Sequence, residues 1–184
     1  MTFENSYCNY VKNLEQSNIH KIYHDTEYGF PVNFDNELFS RLIFEINQAG
    51  LSWNIVLNKK ENFRNAYSNF DIKSIANYDE KERVRLLNDR GIVRNRLKID
   101  AVIHNASVIL RIQAKFGSFQ RWLEHHHPKV KKEWINLFKK TFKFTGAVIT
   151  NEFLMSAGYL YGAHDKSCPI YKKVLSKNPK WRVN

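Results

Sequence analysis

An acidic residue on the apolar face of a predicted helix is the most informative feature of this sequence. The run from Asp35 to Ala49 has the spacing of an amphipathic helix, with Asp35 as its N-cap. Glu45 lies on the apolar stripe of this helix, in register with Leu38 and Leu42. A buried carboxylate is costly unless it is paired or used, so Glu45 is a functional candidate. The structural alternative is a buried glutamate that is satisfied by a backbone N–H group, an arginine or a lysine.

The residues that follow this helix could complete a pocket. Gly50 is expected to end the helix, and Leu51, Ser52 and Trp53 come directly after it. An inward-facing acid with an aromatic side chain just beyond the helix end can form a pocket for a flat, polar ring.

Two cysteines and two histidines near the ends of the chain form a candidate metal site. His164 and Cys168 have i, i+4 spacing, which places both side chains on one side if the segment is helical, and Cys8 and His24 flank a polar segment. Together they offer a closed, tetrahedral Cys2His2 set for a structural Zn²⁺ that ties the two ends of the chain together. The alternative is two reduced thiols and two surface histidines, because a disulfide is not expected in a cytosolic protein.

Composition indicates a globular protein with an anionic partner. The chain has 184 residues, is 43% hydrophobic and 14% aromatic, and has a formal net charge of +11. The basic residues cluster within residues 83–98 and 129–143, so nucleic acid is the first candidate partner; a charge that serves solubility alone is the alternative. No apolar run approaches the ~18 residues needed to cross a membrane. Residues 1–6 lack the features of a secretory signal, so a soluble cytoplasmic protein is expected. A monomer is a separate expectation.

Helical periodicity dominates the chain and predicts an all-α fold. The predicted helices are 36–49, 52–58, 60–67, 72–77, 79–88, 95–115, 119–125, 131–142 and 146–157. We expect a single domain over residues 1–184, with a middle lobe over about 35–115. The second lobe would be formed by the two ends of the chain, about 1–34 and 116–184.

The segment 79–115 has features of a DNA-binding hairpin. Two predicted helices are joined by a tight turn that contains Gly91, whose backbone N–H groups could bind a phosphate. Arg94, Arg96 and Lys98 flank this turn. The alternative is an ordinary pair of helices with solvated charges.

Read in order, several short strings resemble the DNA-3-methyladenine glycosylase I family. They are Cys8-Asn9-Tyr10-Val11, Tyr23-His24-Asp25-Thr26-Glu27-Tyr28-Gly29, Glu45-Ile46-Asn47-Gln48-Ala49-Gly50-Leu51-Ser52-Trp53, Gly91-Ile92-Val93-Arg94-Asn95-Arg96-Leu97-Lys98-Ile99, Phe142-Lys143-Phe144-Thr145-Gly146 and His164 with Cys168. The resemblance extends over almost the whole chain, from about residue 8 to 168.

The resemblance implies a helix-hairpin-helix glycosylase with a structural zinc and a monofunctional reaction, the excision of N3-methyladenine from alkylated double-stranded DNA. The zinc ligands it implies are Cys8, His24, His164 and Cys168. The implied base pocket contains Glu45 as the catalytic residue, with Tyr23, Trp53, Tyr28 and Tyr10 as substrate-binding residues. The resemblance also implies that the turn at Gly91 grips backbone phosphates, with Arg94 and Lys98 beside it as further DNA-binding candidates. Gln48 and Leu51, at the Gly50 break, are candidates for the wedge that fills the stack after the base is flipped.

The chemistry of this reaction suits the residues. Methylation at N3 makes the base cationic and weakens its glycosidic bond. Because the base is cationic, aromatic faces can contribute ~0.5–2 kcal/mol of cation–π attraction. Glu45, if ionised, can accept a hydrogen bond from the exocyclic amine and balance the charge of the ring. No lysine is identifiable as a Schiff-base nucleophile, so no lyase activity is expected.

Three alternative functions can be compared with the same residues. A protein of this fold could bind damaged DNA without excising the base. A zinc-dependent hydrolase would need an open coordination position, which a Cys2His2 set lacks. A glycosylase with a wider range of alkylated purines would differ only by small changes in its pocket.

Overall fold

The computed structural model describes residues 6–182, which form twelve α-helices and no strand. The helices are α1 (Tyr7–Val11), α2 (Ile19–Thr26), α3 (Asp35–Gln48), α4 (Trp53–Asn58), α5 (Lys60–Ala66), α6 (Ile72–Ala76), α7 (Glu80–Asn88), α8 (Arg96–Phe116), α9 (Phe119–His126), α10 (Lys131–Thr141), α11 (Ala147–Ser156) and α12 (Pro169–Ser176). The all-α prediction is confirmed. The expected lack of a secretory signal concerns residues 1–6, of which 1–5 lie outside the described residues. The outer ends of the predicted lobes also lie outside them.

The predicted helices agree with α3–α11, and local capping explains why. Asp71 and Asp79 are N-caps that accept hydrogen bonds from the backbone N–H groups of Ser74 and Glu82, at 2.7 and 3.0 Å. Gly117 ends α8 with a φ of +87°, a conformation that glycine adopts without strain. Helices α1, α2 and α12 were not separately predicted.

Helix α3 is the centre of the fold. It packs against α4, α8, α9 and α11, and every residue from Leu38 to Asn47 is buried. The helix predicted to be amphipathic is therefore enclosed along this stretch. Its polar side chains are satisfied locally: Ser40 Oγ donates to the Glu37 carbonyl at 2.8 Å, and Asn47 Nδ2 donates to the Ile43 carbonyl at 2.8 Å.

The structure corrects the predicted role of Asp35. Phe34, not Asp35, occupies the N-cap position of α3 and makes no side-chain cap. The Asp35 carboxylate instead accepts hydrogen bonds from the backbone N–H groups of Phe119 and Gln120, at 2.7 and 3.0 Å. Asp35 therefore caps α9, where a carboxylate also interacts favourably with the helix dipole. This contact fixes α9 against the start of α3.

None of the helices within residues 6–182 combines the length and the apolar character needed to cross a membrane.

Candidate active site and metal centre

A cavity of about 320 Å³ lies against the last turn of α3. Its volume is at the lower end of the ~300–1,000 Å³ that is usual for small-molecule pockets. The side chains that line it come from α1, α2, α3, α4, α11 and the loop after α2: Tyr7, Tyr23, Tyr28, Glu45, Gln48, Trp53, Val148 and Glu152.

Glu45 is a buried acid without a hydrogen-bonding partner. It is 6% exposed, and no residue between 6 and 182 donates a hydrogen bond to its carboxyl group or forms an ion pair with it. Burial raises the pKa of Glu45 well above its ordinary value of 4.5, and the charge of Glu152 raises it further, while Arg41 opposes this increase. The structural alternative, a glutamate satisfied by its neighbours, does not describe this site.

Arg41, one turn before Glu45, does not neutralise it directly. The Arg41 Nη1 group donates to the backbone carbonyl groups of Glu27, at 2.9 Å, and of Ser156. Its Nη2 group pairs with the Glu37 carboxylate at 3.1 Å. This guanidinium therefore joins α3 to the loop after α2 and to the end of α11, and leaves the Glu45 carboxyl group available to a ligand.

Four aromatic rings surround the acid. The Tyr23 ring lies edge-on to Trp53, with ring centroids 5.2 Å apart, and its centroid is 5.7 Å from that of Tyr28. The Tyr7 ring lies edge-on to Tyr28 at 5.7 Å. Such a set of rings with one acid can hold a flat ring by stacking and by a single directional hydrogen bond.

The structure corrects the prediction for Tyr10 and adds two residues to the pocket. Tyr10 is 57% exposed and stacks on the outer side of Tyr7, with ring centroids 6.1 Å apart, so it does not line the cavity. Tyr7 and Glu152 line it and were not predicted. Tyr7 and Tyr10 have the i, i+3 spacing of one helix face, so the aromatic signal was present in the sequence. Which of the two rings faces inward depends on how α1 is fixed.

The turn from Gln48 to Leu51 lies at the end of the cavity. Gln48 lines the cavity, and its Nε2 group donates to the Leu51 carbonyl at 2.9 Å. Gly50 is exposed, has a φ of +79°, and a Cβ atom placed on it would contact nothing within 4 Å. The backbone conformation, rather than a close neighbour, explains the glycine at this position.

Lys98 does not face solvent, and its predicted contact with DNA is corrected. The residue is 4% exposed, and its Nζ group donates to the backbone carbonyl groups of Asn47 and Ala49, at 2.8 and 2.7 Å. A cation at this place satisfies carbonyl groups at the C-terminal end of α3 and complements the helix dipole. Lys98 therefore positions the end of the helix that carries Glu45. Arg94 is exposed and forms no ion pair with any residue between 6 and 182.

Replacement of Lys98 by methionine is expected to lower the free energy of unfolding by about 1–3 kcal/mol, because two buried carbonyl groups lose their donor. Urea unfolding measures this loss. The salt dependence of DNA binding should not change in this variant. Arg94→Met is the matched control, with unchanged stability and a salt-dependence slope that is smaller by about one phosphate contact. A smaller slope for K98M would contradict the buried position of Lys98.

The turn at Gly91 is held by internal hydrogen bonds. The Gly91 N–H group donates to Asp89 Oδ1 at 2.7 Å, and its carbonyl group accepts a hydrogen bond from Lys59 Nζ at 3.0 Å. A Cβ atom on Gly91 would lie 2.9 Å from Asp89 Oδ1 and 3.2 Å from Asn62 Cβ, so a larger residue would require these side chains to shift. The Gly91 N–H group already donates to Asp89, so a phosphate contact of this turn through its other N–H groups stays a prediction.

The four predicted metal ligands form one cluster, with all donor atoms within 4.8 Å of one another. His24 Nε2 lies 3.1 Å from His164 Nδ1, 3.3 Å from Cys8 Sγ and 3.8 Å from Cys168 Sγ. A tetrahedral zinc with bonds of about 2.0–2.1 Å to nitrogen and about 2.3 Å to sulfur separates its ligand atoms by roughly 3.3–3.8 Å. The donor set suits a four-coordinate zinc, and the three distances from His24 Nε2, 3.1–3.8 Å, lie close to this range.

The histidine rings are oriented with their unprotonated nitrogens towards the centre of the cluster. His164 Nε2 lies 2.6 Å from the Tyr28 carbonyl oxygen, which can only accept, so Nε2 carries the hydrogen. His24 Nδ1 lies 2.6 Å from Asp25 Oδ1, the usual carboxylate partner of a metal-bound histidine. Burial lowers the pKa of His164 to about 4 and also lowers that of His24, so both rings are neutral at pH 7. Two unprotonated ring nitrogens that face each other at 3.1 Å suit ligation of a shared metal ion.

The segment 164–168 is a turn, which corrects the helical geometry considered for its histidine and cysteine. The Cys168 N–H group donates to the Asp165 carbonyl at 2.9 Å, and the Asp165 N–H group donates to Cys8 Sγ at 3.3 Å. Gly29 passes close to this turn: a Cβ atom there would lie 2.7 Å from Ala163 Cβ, so the approach requires glycine.

Comparison with known proteins agrees with the fold and shows the family. Residues 13–136 match the family model described as methyladenine glycosylase. DNA-3-methyladenine glycosylase 1 of Escherichia coli (strain K12) is 33% identical in an alignment of 177 residues that covers 86% of this chain and 94% of that protein. DNA-3-methyladenine glycosylase of Haemophilus influenzae is 33% identical in an alignment of 174 residues that covers 84% of this chain and 93% of that protein.

A solved structure gives the same result. 3-Methyladenine DNA glycosylase I from Staphylococcus aureus superposes with a TM-score of 0.75 at 29% identity, over 85% of this chain and 93% of that chain. The all-helical fold is thus the fold of 3-methyladenine DNA glycosylases of this type. The chain belongs to the methyladenine glycosylase family.

Proposed function

We propose that this chain is a monofunctional DNA glycosylase that flips N3-methyladenine out of alkylated double-stranded DNA and excises it hydrolytically. The product is an abasic site, the starting point of base excision repair. Family membership and the names of the relatives support the reaction. The observation that carries the proposal is the buried, unpartnered carboxyl group of Glu45 in a cavity lined by aromatic rings.

Recognition would use the positive charge of the damaged base. The rings of Tyr23 and Trp53 offer π faces to a cationic purine, an attraction of ~0.5–2 kcal/mol. Glu45 would accept a hydrogen bond from the exocyclic amine. Burial raises the pKa of Glu45. A cation in the cavity would lower this pKa again, because its positive charge offsets the desolvation of the carboxylate.

Excision itself needs little acid catalysis. The methylated base is a good leaving group, so the protein must mainly extract the nucleotide from the stack and stabilise a sugar with oxocarbenium character. Within the described residues, no lysine lines the cavity. A Schiff base with the sugar would need such an amine, so we propose that the reaction stops at the abasic site without lyase activity.

DNA would lie over the mouth of the cavity. We propose that Gln48, Gly50 and Leu51 approach the gap left by the flipped nucleotide, because they form the turn at the end of α3. The exposed Arg94, in the turn between α7 and α8, would contact the phosphate backbone. The helix–turn–helix unit of α7 and α8 is the segment that we propose as the helix-hairpin-helix element.

We propose that Cys8, His24, His164 and Cys168 hold a structural Zn²⁺, a ligand set that leaves no open position for catalysis. Bound zinc would join the segment around α1 and α2 to the segment that precedes α12.

We further propose a single, monomeric, cytoplasmic domain with a middle lobe at about 35–115 and a second lobe formed by residues 1–34 and 116–184. The packing of α11 against α3 supports one continuous domain.

The direct test is chromatography of the bases released from methylated duplex DNA. We expect free 3-methyladenine but no 7-methylguanine in the supernatant, and no strand cleavage at the abasic sites. DNA incubated without protein controls for spontaneous loss of the base. A well-folded, zinc-loaded protein that releases no base would support the alternative, a protein that binds damaged DNA without excision.

A further inference from the structure

A second carboxylate lines the same cavity as Glu45 and was not predicted from the sequence. Glu152 lies on α11, one turn after Val148, and both side chains line the cavity. Glu45 lies on α3, which packs against α11. The cavity therefore has an acid on each of two neighbouring helices.

The Glu152 carboxylate is held in place by neutral donors. Tyr28 Oη donates to Glu152 Oε2 at 3.2 Å, and Asn151 Nδ2 donates to Oε1 at 3.1 Å. No lysine, arginine or histidine between residues 6 and 182 forms an ion pair with it. Two neutral hydrogen bonds orient the carboxylate and leave its negative charge unbalanced.

The groups around Glu45 also leave the cavity without a cation of its own. Arg41, on α3, binds backbone carbonyl groups and Glu37. Tyr23 and Tyr28 are neutral, because burial raises the pKa of both phenols well above 10.0. A cationic ring between the two acids would be attracted by both, whereas a neutral ring of the same shape would not.

We propose that Glu152 is a specificity-determining residue, whose carboxylate acts with Glu45 to select a positively charged base over a neutral base of similar shape. This inference rests on the proposed function and deepens it. The raised pKa of Glu45, to which the charge of Glu152 contributes, is in accord with the electrostatic coupling of the two acids. The substrate class defined by this pair is N-alkylated purine cations.

Binding of two small bases tests the inference. The probes are 3,9-dimethyladenine, which keeps the positive charge of the damaged nucleoside, and neutral 9-methyladenine, titrated calorimetrically at neutral pH. We expect Glu152→Gln to weaken binding of the cation by about 10- to 100-fold and binding of the neutral base by less than about twofold. Glu152→Asp keeps the charge and should restore most of the preference. Glu15→Gln, which removes an exposed acid, should change neither affinity.

A second measurement reports on Glu45 directly. Carbon-13 NMR titration should show a lower pKa for the Glu45 carboxyl group in E152Q than in the wild-type protein, because a like charge has been removed. Glu152→Ala serves both measurements if E152Q does not fold. An equal loss of affinity for the two probes, or a wild-type protein that does not distinguish them, would overturn the inference.

The two proposals fail in different ways. If the wild-type protein releases no base from methylated DNA, the proposed function is wrong. If it releases 3-methyladenine and E152Q keeps the wild-type ratio of the two affinities, only the role of Glu152 is wrong.

Discussion

The Glu45→Gln variant is expected to release 3-methyladenine about 10²- to 10³-fold more slowly than the wild-type protein, a loss typical of removing one preorganised electrostatic contact to a transition state. Glutamine keeps the shape of the side chain but cannot balance the charge of the base. Binding to undamaged DNA should stay within about twofold, because the buried Glu45 side chain contributes little to the phosphate contacts that dominate non-specific affinity. Single-turnover excision and filter binding measure the two quantities on the same preparation.

Although excision becomes slower, the free energy of unfolding is expected to be higher in Glu45→Gln than in the wild-type protein near neutral pH. The folded-state pKa of Glu45 is raised above its ordinary value of 4.5, so the folded protein binds the proton more tightly than the unfolded chain. Glu45 therefore costs no stability below about pH 4.5 and an increasing amount as the pH rises towards its folded-state pKa. Each tenfold difference in proton affinity between the folded and unfolded states corresponds to a cost of about 1.4 kcal/mol.

Thermal melts from pH 4 to pH 8 check this sign. We expect E45Q to be more stable than the wild-type protein at pH 8 and close to it at pH 4. The exposed-site variant E15Q should follow the wild-type curve throughout. An E45Q protein that is less stable at every pH, and that loses excision and DNA binding equally, would assign Glu45 a structural role instead.

Replacement of Cys168 by serine is expected to reduce both the zinc content and the melting temperature. One of four ligands is lost, and the binding energy of a structural zinc is part of the folding energy. We expect a loss of about 3 kcal/mol, which corresponds to roughly 6–12 °C for a chain of this size. Treatment of the wild-type protein with a chelator should produce a similar decrease.

Elemental analysis and calorimetry measure these effects. Ser167→Ala, at the exposed neighbouring position, should retain the wild-type ratio of metal to protein and the wild-type melting temperature. The spectrum of the cobalt-substituted protein should report four-coordinate geometry with thiolate ligands. An unchanged ratio of metal to protein in C168S would contradict the proposed structural zinc site.

The sequence alone predicted α3 to α11, though not α1, α2 and α12, because the signals that start and end most of these helices are local. Asp71, Asp79 and Ser118 act at their own helix ends, where each accepts a hydrogen bond from an N–H group three residues later. The ligand set of the candidate zinc site was also readable, because four residues of the right type occur in the strings that resemble one family. The structure brings all four together.

Contacts between distant segments could not be predicted from the sequence in the same way. Asp35 has the residue type of a helix cap, yet it caps a different helix, 84 residues further along the chain at Phe119. Lys98 belongs to a basic cluster, yet its amine is buried against the end of α3. Residue type and spacing predict that such a side chain needs a partner, but the partner is chosen by packing.

The residues that line the pocket were likewise only partly predictable from the sequence. Helical periodicity predicts that Glu45 lies on a buried face, and Trp53 follows closely in the sequence, just beyond the helix end. One side of the cavity could therefore be predicted from the sequence. Tyr7 rather than Tyr10 lines the cavity, because the packing of the short helix α1 against α2 sets where each ring lies. Glu152 reaches the cavity through the packing of α11 on α3, across 124 residues from its partner Tyr28. A helical pattern reveals which face is buried, and only the tertiary structure decides what is buried against it.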